Sequence, residues 1–391
     1  MSGPLHLPPE LPGADQTLAC QCHCKSVNFT VTIPTSALPL PVHICHCHIC
    51  RYLHGTPCIF HAPLPNGIEP DFIAPSSLSS SLTRYVHHES PTAERFFCST
   101  CGCHVGDRKL DPDPETGIRQ WHVATSIFTP NSESHFQIRS HIFASSRVGA
   151  GVYSWLHEIN GRPLPSWNGY PKADGEQHQQ SKIAPAPPSR SREPEGSDEI
   201  TAECHCSGVK FTVARPTEQE RSDPLLSRYV SRVDGRKRLA CLCVCADCRL
   251  VSGMHVTGWT FAPLSSLKPE VPASFEGFGT LKAYRSSANV LRGFCAKCGA
   301  TVFYSIDDEE HVSEEGKRIV DIAVGILRAP EGDVAAEEWL TWRTGRLAGM
   351  PSGKEYDEGF AEGLKKGLAE WGLKKHGKVL EFNIPLGVEQ D

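Results

Sequence analysis

Residues 22–31 read CHCKSVNFTV, and residues 204–213 read CHCSGVKFTV. Each stretch sets two cysteines one residue apart, ahead of Val27, Phe29 and Val31 in one case and Val209, Phe211 and Val213 in the other. Apolar residues at every second position are the pattern of a half-buried strand. Side chains of a strand alternate between faces, so Cys22 and Cys24 project to one side, as do Cys204 and Cys206.

The likeness continues outward from these stretches. Cys45, Cys47, Cys50 and Arg51 form Cys-x-Cys-x-x-Cys-Arg, and Cys243, Cys245, Cys248 and Arg249 repeat it. Phe97, Cys98, Cys101 and Gly102 form Phe-Cys-x-x-Cys-Gly, repeated by Phe294, Cys295, Cys298 and Gly299. The step from the third cysteine of the middle motif to the first of the last is 48 residues in one copy and 47 in the other. Seven cysteines recurring in register make the chain a tandem duplication. The copies differ between the first and middle motifs, where Cys24 to Cys45 is 21 residues and Cys206 to Cys243 is 37. The extra residues are polar and charged and read as a surface loop insertion.

The sequence divides into an arm at 1–16, a first domain at 17–171, a linker at 172–199, a second domain at 200–357 and a C-terminal helix and tail at 358–391. The linker is rich in Pro, Ser, Gln and charge and nearly free of large apolar residues, so it has too little to bury and reads as disordered. Further strands are expected at 94–98, 121–128, 281–285, 290–295, 301–305 and 319–327. A helix is expected at about 356–375, weakened by its glycines. The fold class is mostly β, two tandem metal-pinned domains of antiparallel sheets with a C-terminal helix.

The chain has 391 residues, 39 Lys plus Arg against 45 Asp plus Glu, and a formal net charge of −6. That balance gives no electrostatic reason to bind nucleic acid or an anionic membrane. Apolar runs are short, and the first residues have neither a basic region nor an apolar one, so no membrane span or secretory signal is expected. With no export signal, 18 cysteines point to metal or thiol chemistry rather than disulfides. The expected location is cytoplasmic, with the nucleus left open.

The outer motifs of each copy together offer four thiolates, the closed tetrahedral set of a structural zinc site. Cys22, Cys24, Cys98 and Cys101 are assigned to one ion, and Cys204, Cys206, Cys295 and Cys298 to another. Cys20 adds a third sulfur on the first strand, and the register of the second copy marks it as a bystander. The middle motifs offer only three thiolates, Cys45, Cys47 and Cys50 or Cys243, Cys245 and Cys248. Three protein ligands leave a coordination position open. Zn²⁺ with three thiolates is formally −1, poor at activating water and better suited to exchanging a soft ligand such as a substrate thiolate. Arg51 and Arg249 follow the third cysteine and are the candidate catalytic cations that relieve the extra charge. His43 or Cys241, each two residues before the first cysteine, offers a fourth ligand that would instead close the site. The histidines crowding the first copy, His46, His48, His54, His87, His88 and His104, are mostly not repeated in the second and read as surface or packing residues.

These three motifs, twice over, resemble the glutathione-dependent formaldehyde-activating enzyme family, which includes the centromere protein V type of domain. The resemblance implies a β-tent fold with two zinc sites per domain, about four Zn²⁺ per chain, the four-cysteine ion structural and the three-cysteine ion the reaction centre. It implies a carbon–sulfur lyase-type activity joining formaldehyde to glutathione as S-(hydroxymethyl)glutathione, with glutathione or another small thiol and an aldehyde or related electrophile as partners. Lys25 and Ser207 stand where the family's first motif continues with Gly, so the turn there is expected to differ. Residues 141–143 look like the family's late strand, for which the second copy offers only a loose counterpart at 339–342. Two other readings stay open: a zinc-stabilised binding module without catalysis, which calls for a basic surface that the net charge argues against, and a biosynthetic enzyme acting on a larger carbonyl compound.

Overall fold

The computed structural model describes residues 15–87, 92–129, 131–144, 149–171, 197–330 and 333–385. The two stretches that open the repeat form matching hairpins. Strand Gln16–Gln21 pairs antiparallel with Asn28–Ile33, and Glu199–Glu203 pairs with Lys210–Ala214. Phe29, Val31, Phe211 and Val213 are buried, as the alternation requires. The turn after each Cys-x-Cys adopts the left-handed conformation without glycine, with Lys25 at φ 64° and Ser207 at φ 58°. Each side chain is held in a conformation that glycine adopts more cheaply.

Each half then builds a large sheet. The first has eight strands, and the strands that carry the site run in the order Phe136–Ile142, Leu40–Cys45, Ile59–Pro63, Trp121–Ala124, His104–Lys109 and Ala93–Cys98. The second has seven, with Leu340–Trp342, Arg238–Cys243, Thr257–Pro263, Ile319–Ala323, Thr301–Ile306 and Val290–Cys295 in the matching order. Neighbours are antiparallel except at one end, where Phe136–Ile142 lies parallel to Leu40–Cys45 and Leu340–Trp342 lies parallel to Arg238–Cys243. Strand Leu340–Trp342 thus occupies the place of the late strand in the second half, and the loose likeness at 339–342 is a structural equivalence.

The strands expected at 121–128 and 319–327 stop early. Both break into a 3₁₀ turn, Thr125–Ile127 and Val324–Ile326, because the other half packs there. A Cβ on Gly325 would lie 2.2 Å from the backbone of Gly55 and Thr56. The halves meet about a local two-fold. The His23 N–H donates to Leu250 O and the His205 N–H donates to Tyr52 O, equivalent atoms in exchanged roles. His23 Nδ1 shares a hydrogen bond of 2.7 Å with the Tyr284 hydroxyl, and His205 Nδ1 one of 2.9 Å with the Tyr85 hydroxyl. The glycine of each Phe-Cys-x-x-Cys-Gly lies against the phenylalanine of the other, so that a Cβ on Gly102 would come within 2.6 Å of Phe294 and one on Gly299 within 2.7 Å of Phe97.

The long helix Met350–His376 begins ahead of the expected 356 and is interrupted at Asp357, whose carboxylate accepts the Phe360 N–H and restarts it. Gly359, Gly363 and Gly367 allow it to lie directly on the segment of the first half containing Trp155, Glu158 and Asn160. Its glycines buy close approach rather than weaken it. The insertion of the second half is not a bare surface loop. It forms Glu218–Ser222 and Leu226–Tyr229, buries Leu226 and Tyr229, and holds a buried Glu220–Arg238 ion pair at 3.0 Å. Of the linker expected at 172–199, only residues 197–199 lie among the described residues, and Glu199 already opens a strand. Almost all of the expected arm and His88 fall outside them.

Candidate metal centres

The middle motif lies where a strand runs into a helix. Strand Leu40–Cys45 delivers Cys45, and Cys47 caps helix His48–His54 with its sulfur accepting the Cys50 N–H at 3.4 Å. Strand Arg238–Cys243 and helix Ala246–Ser252 repeat this, with Cys245 accepting from Cys248 at 3.3 Å. Both helices end on a glycine at positive φ, Gly55 and Gly253, and that close turn inserts each helix end against backbone of the opposite half, at Thr301 and His104.

Four groups of sulfurs converge: Cys22, Cys24, Cys98 and Cys101; Cys204, Cys206, Cys295 and Cys298; Cys45, Cys47 and Cys50; and Cys243, Cys245 and Cys248. Within each group the ligand atoms lie within 4.8 Å of one another. Sulfur pairs lie at 3.5 Å for Cys22–Cys24 and Cys24–Cys98, 3.6 Å for Cys204–Cys206 and 3.8 Å for Cys45–Cys50. These are far too long for disulfides, and the cysteines are free. They match the roughly 3.8 Å edge of a tetrahedron with metal–sulfur bonds of about 2.3 Å. Backbone N–H groups of Val27, Thr100, Val209 and Cys298 point at Cys22, Cys98, Cys204 and Cys295 at 3.3–3.4 Å, as suits sulfur carrying negative charge. The donor sets therefore fit metal ions.

Hydrogen bonds from Cys45 and Cys50 hold Cys47 well below the ordinary thiol value, and those from Cys243 and Cys245 do the same for Cys248. Among the described residues neither His43 nor Cys241 joins a three-sulfur group. His43 Nδ1 instead shares a hydrogen bond of 2.8 Å with Ser140 Oγ.

The guanidinium beside each trio is not the one that follows the third cysteine. Arg249 donates to the carbonyl of Ser126 and lies 3.5 Å over the Tyr356 ring. Arg51 is fully buried beside Tyr52. Arg249 thus reaches across to the first half, and Arg51 interacts with Asp333 of the second. The cation facing the sulfurs is Arg95 in the first half, whose charge interacts with Cys50 and Cys47, and Arg292 in the second, whose Nη1 is 3.6 Å from Cys248 Sγ. Burial opposes the charge of each, and the thiolates more than offset it. Both stand three residues before the first cysteine of Cys-x-x-Cys, in Arg95-Phe-Phe-Cys98 and Arg292-Gly-Phe-Cys295. Their recurrence in register was the available signal, and it also marks His23 and His205.

Most of the extra histidines pack. His46, His54 and His104 are buried, with the rings of His54 and His104 3.9 Å apart and His46 bonded to His141 at 2.9 Å. Cys20, Cys58 and Cys103 are buried outside every sulfur group.

A family model described as glutathione-dependent formaldehyde-activating enzyme matches residues 17–146 and 229–341, more than half of the chain. No curated protein matches it. Among the described residues no helix is long and apolar enough to cross a membrane.

Proposed function

Because the chain belongs to the glutathione-dependent formaldehyde-activating enzyme family, we propose that it makes or breaks carbon–sulfur bonds between a small thiol and an aldehyde, as a lyase-type enzyme whose expected adduct is S-(hydroxymethyl)glutathione. The observation that carries this reading is the three-sulfur group with an arginine against it and no fourth protein ligand among the described residues. The metal we assign to all four groups is zinc, on the strength of the soft, all-sulfur donor sets. The four-sulfur groups would pin each opening hairpin to the Phe-Cys-x-x-Cys turn.

A zinc ion at a three-sulfur group would supply a soft Lewis acid open to thiolate sulfur or carbonyl oxygen. The protein's part is to hold and balance it. The three sulfurs bring one more negative charge than a divalent ion cancels, and a substrate thiolate would bring another. Arg95 and Arg292 offset that charge from beside the sulfurs, Arg292 from a buried position, where electrostatic interactions are strong. The place proposed from the sequence for Arg51 and Arg249 passes to these two.

The test is direct. The zinc-loaded chain should accelerate formation of the hemithioacetal from glutathione and formaldehyde, followed by NMR of the hydroxymethyl group. Full metal loading without acceleration, for glutathione and other small thiols across several aldehydes, would overturn the reading.

A further inference from the structure

The two three-sulfur groups lie on equivalent faces of equivalent sheets, and the residues around them can be compared through the strand registers. Opposite the position two before the first cysteine stands His61 in the first half, paired with His43, and Trp259 in the second, paired with Cys241. Opposite the arginine stands Asp107, paired with Arg95, and Tyr304, paired with Arg292. One strand further along stand His122, paired with Asp107, and Asp321, paired with Tyr304.

In the first half these residues form a chain of proton-carrying groups. His61 Nδ1–H donates to Asp107 Oδ2 at 2.8 Å, and His122 Nδ1 lies 3.2 Å from Asp107 Oδ1. Side-chain exposure rises along the chain, from 7% at His61 through 16% at Asp107 to 22% at His122. His61 Nε2 is buried without a hydrogen-bond partner. His61 shares its strand face with Ile59, which pairs with Cys45, so the imidazole stands one residue pair from the first sulfur. Arg95 couples the two groups, since it interacts with Cys50, Cys47 and Asp107.

Both trios are buried, Cys45, Cys47 and Cys50 at 5–8% exposure and Cys243, Cys245 and Cys248 at 2–3%, and the second is the more deeply covered. Cys243, Cys245 and Cys248 belong to an apolar cluster with Trp259, Tyr304, Phe261, Leu226, Tyr229 and Ile384. Leu226 and Tyr229 come from the insertion, Ile384 from the segment after the long helix, and the Tyr229 hydroxyl donates to Pro385 O at 3.4 Å. The first copy lacks the insertion, and among the described residues it is Tyr170 that stands near its trio and Asp107.

We infer that the chemistry of the chain is confined to the first half, where His61 is the catalytic proton carrier, Asp107 and His122 are its positioning residues, and the second three-sulfur group serves structure. This rests on the thiol–aldehyde reading. Its step balances without an oxidant or reductant. The thiol gives its proton to His61 Nε2, the sulfur attacks the carbonyl carbon to form the C–S bond, the π pair of C=O moves to oxygen, and His61 returns the proton to that oxygen. Asp107 fixes the tautomer that leaves Nε2 free to accept. His122 links the pair to solvent.

Matched substitutions in the full zinc-loaded chain test this. His61→Gln should lower kcat for glutathione–formaldehyde addition by about 10²- to 10⁴-fold with KM for glutathione little changed, while Trp259→Phe leaves both unchanged. Asp107→Asn should remove the basic group's limb from the pH–rate profile, and Tyr304→Phe should keep it. Equal losses in both halves, or none at His61, would overturn the assignment. A second arm needs no aldehyde and so separates this inference from the reading it rests on. Glutathione added to the cobalt-substituted chain should change the cobalt spectrum, and Cys47→Ser should abolish the change. No change in the unsubstituted chain, or a change that survives Cys47→Ser, would contradict a reachable ion in the first half alone.

Discussion

The two halves share their sulfurs and differ in what surrounds them. Position for position, the first half offers His61, Asp107 and His122 where the second has Trp259, Tyr304 and Asp321, and the second adds an insertion and a tail that bury its sheet face. Both keep the arginine against the trio and both keep the four-sulfur group. The lesson is that metal-holding and proton-handling parts separate.

The largest effect should be the one that does not distinguish the halves. Cys98→Ser and Cys295→Ser each remove a ligand from a four-sulfur group, and structural zinc in small domains contributes on the order of 10–16 kcal/mol to folding. Both variants should lose one zinc and unfold far below the wild type, read by metal analysis and thermal melting. If only one does so, the outer sites are not equivalent and the duplication is less regular than the sulfur geometry indicates.

Next comes the cover of the second half. Tyr229 is 1% exposed and its ring lies 5.4 Å from Phe261. Tyr229→Ala should cost about 3–5 kcal/mol, the range for emptying a buried aromatic site, measured by denaturant unfolding. A cost below about 1 kcal/mol would mean that the insertion rests loosely and the face is not sealed.

How far the sequence reaches is instructive here. Repetition in register exposed the sulfurs, because a metal site tolerates little variation in spacing. It also carries Arg95 and Arg292, His23 and His205, but single residues stand out less than a motif. What no spacing could reveal was the pairing of the halves. Arg51 and Arg249 follow the third cysteine in sequence, yet the site helices direct Arg249 to Ser126 and Arg51 toward Asp333, each in the other half. The insertion, polar by composition, conceals Leu226 and Tyr229, and two apolar residues suffice to cover a face once the tail joins them. The late strand of the second half has three residues, too short for periodicity, and only its parallel pairing with Arg238–Cys243 identifies it.

A smaller and one-sided effect concerns acid. Burial pushes the Asp107 carboxyl up, but the two imidazoles beside it more than compensate and hold it well below the ordinary carboxylate value. With the folded value depressed, its contribution to stability is present above the unfolded carboxylate range near 3.9 and is lost as pH falls through the lower folded value. Stability of the first half should therefore decline on the acid side of about pH 4, and Asp107→Asn should flatten that decline in unfolding measured against pH. An unchanged acid limb would remove Asp107 from the charged pair assigned to it.

The smallest effect again treats the halves alike. Lys25→Gly and Ser207→Gly relieve side chains from positive φ next to the four-sulfur groups, and each should raise stability by up to about 1 kcal/mol. Destabilisation in one half only would show that the side chain there holds the turn.

The central claim is that each half carries one ion enclosed by four protein sulfurs and one held by three. X-ray absorption at the zinc edge of the fully loaded chain measures this most directly. The account predicts about four zinc ions per chain, with sulfur coordination averaging below four and a light-atom ligand completing the remainder. Four sulfurs at every ion, or only two ions per chain, would contradict it.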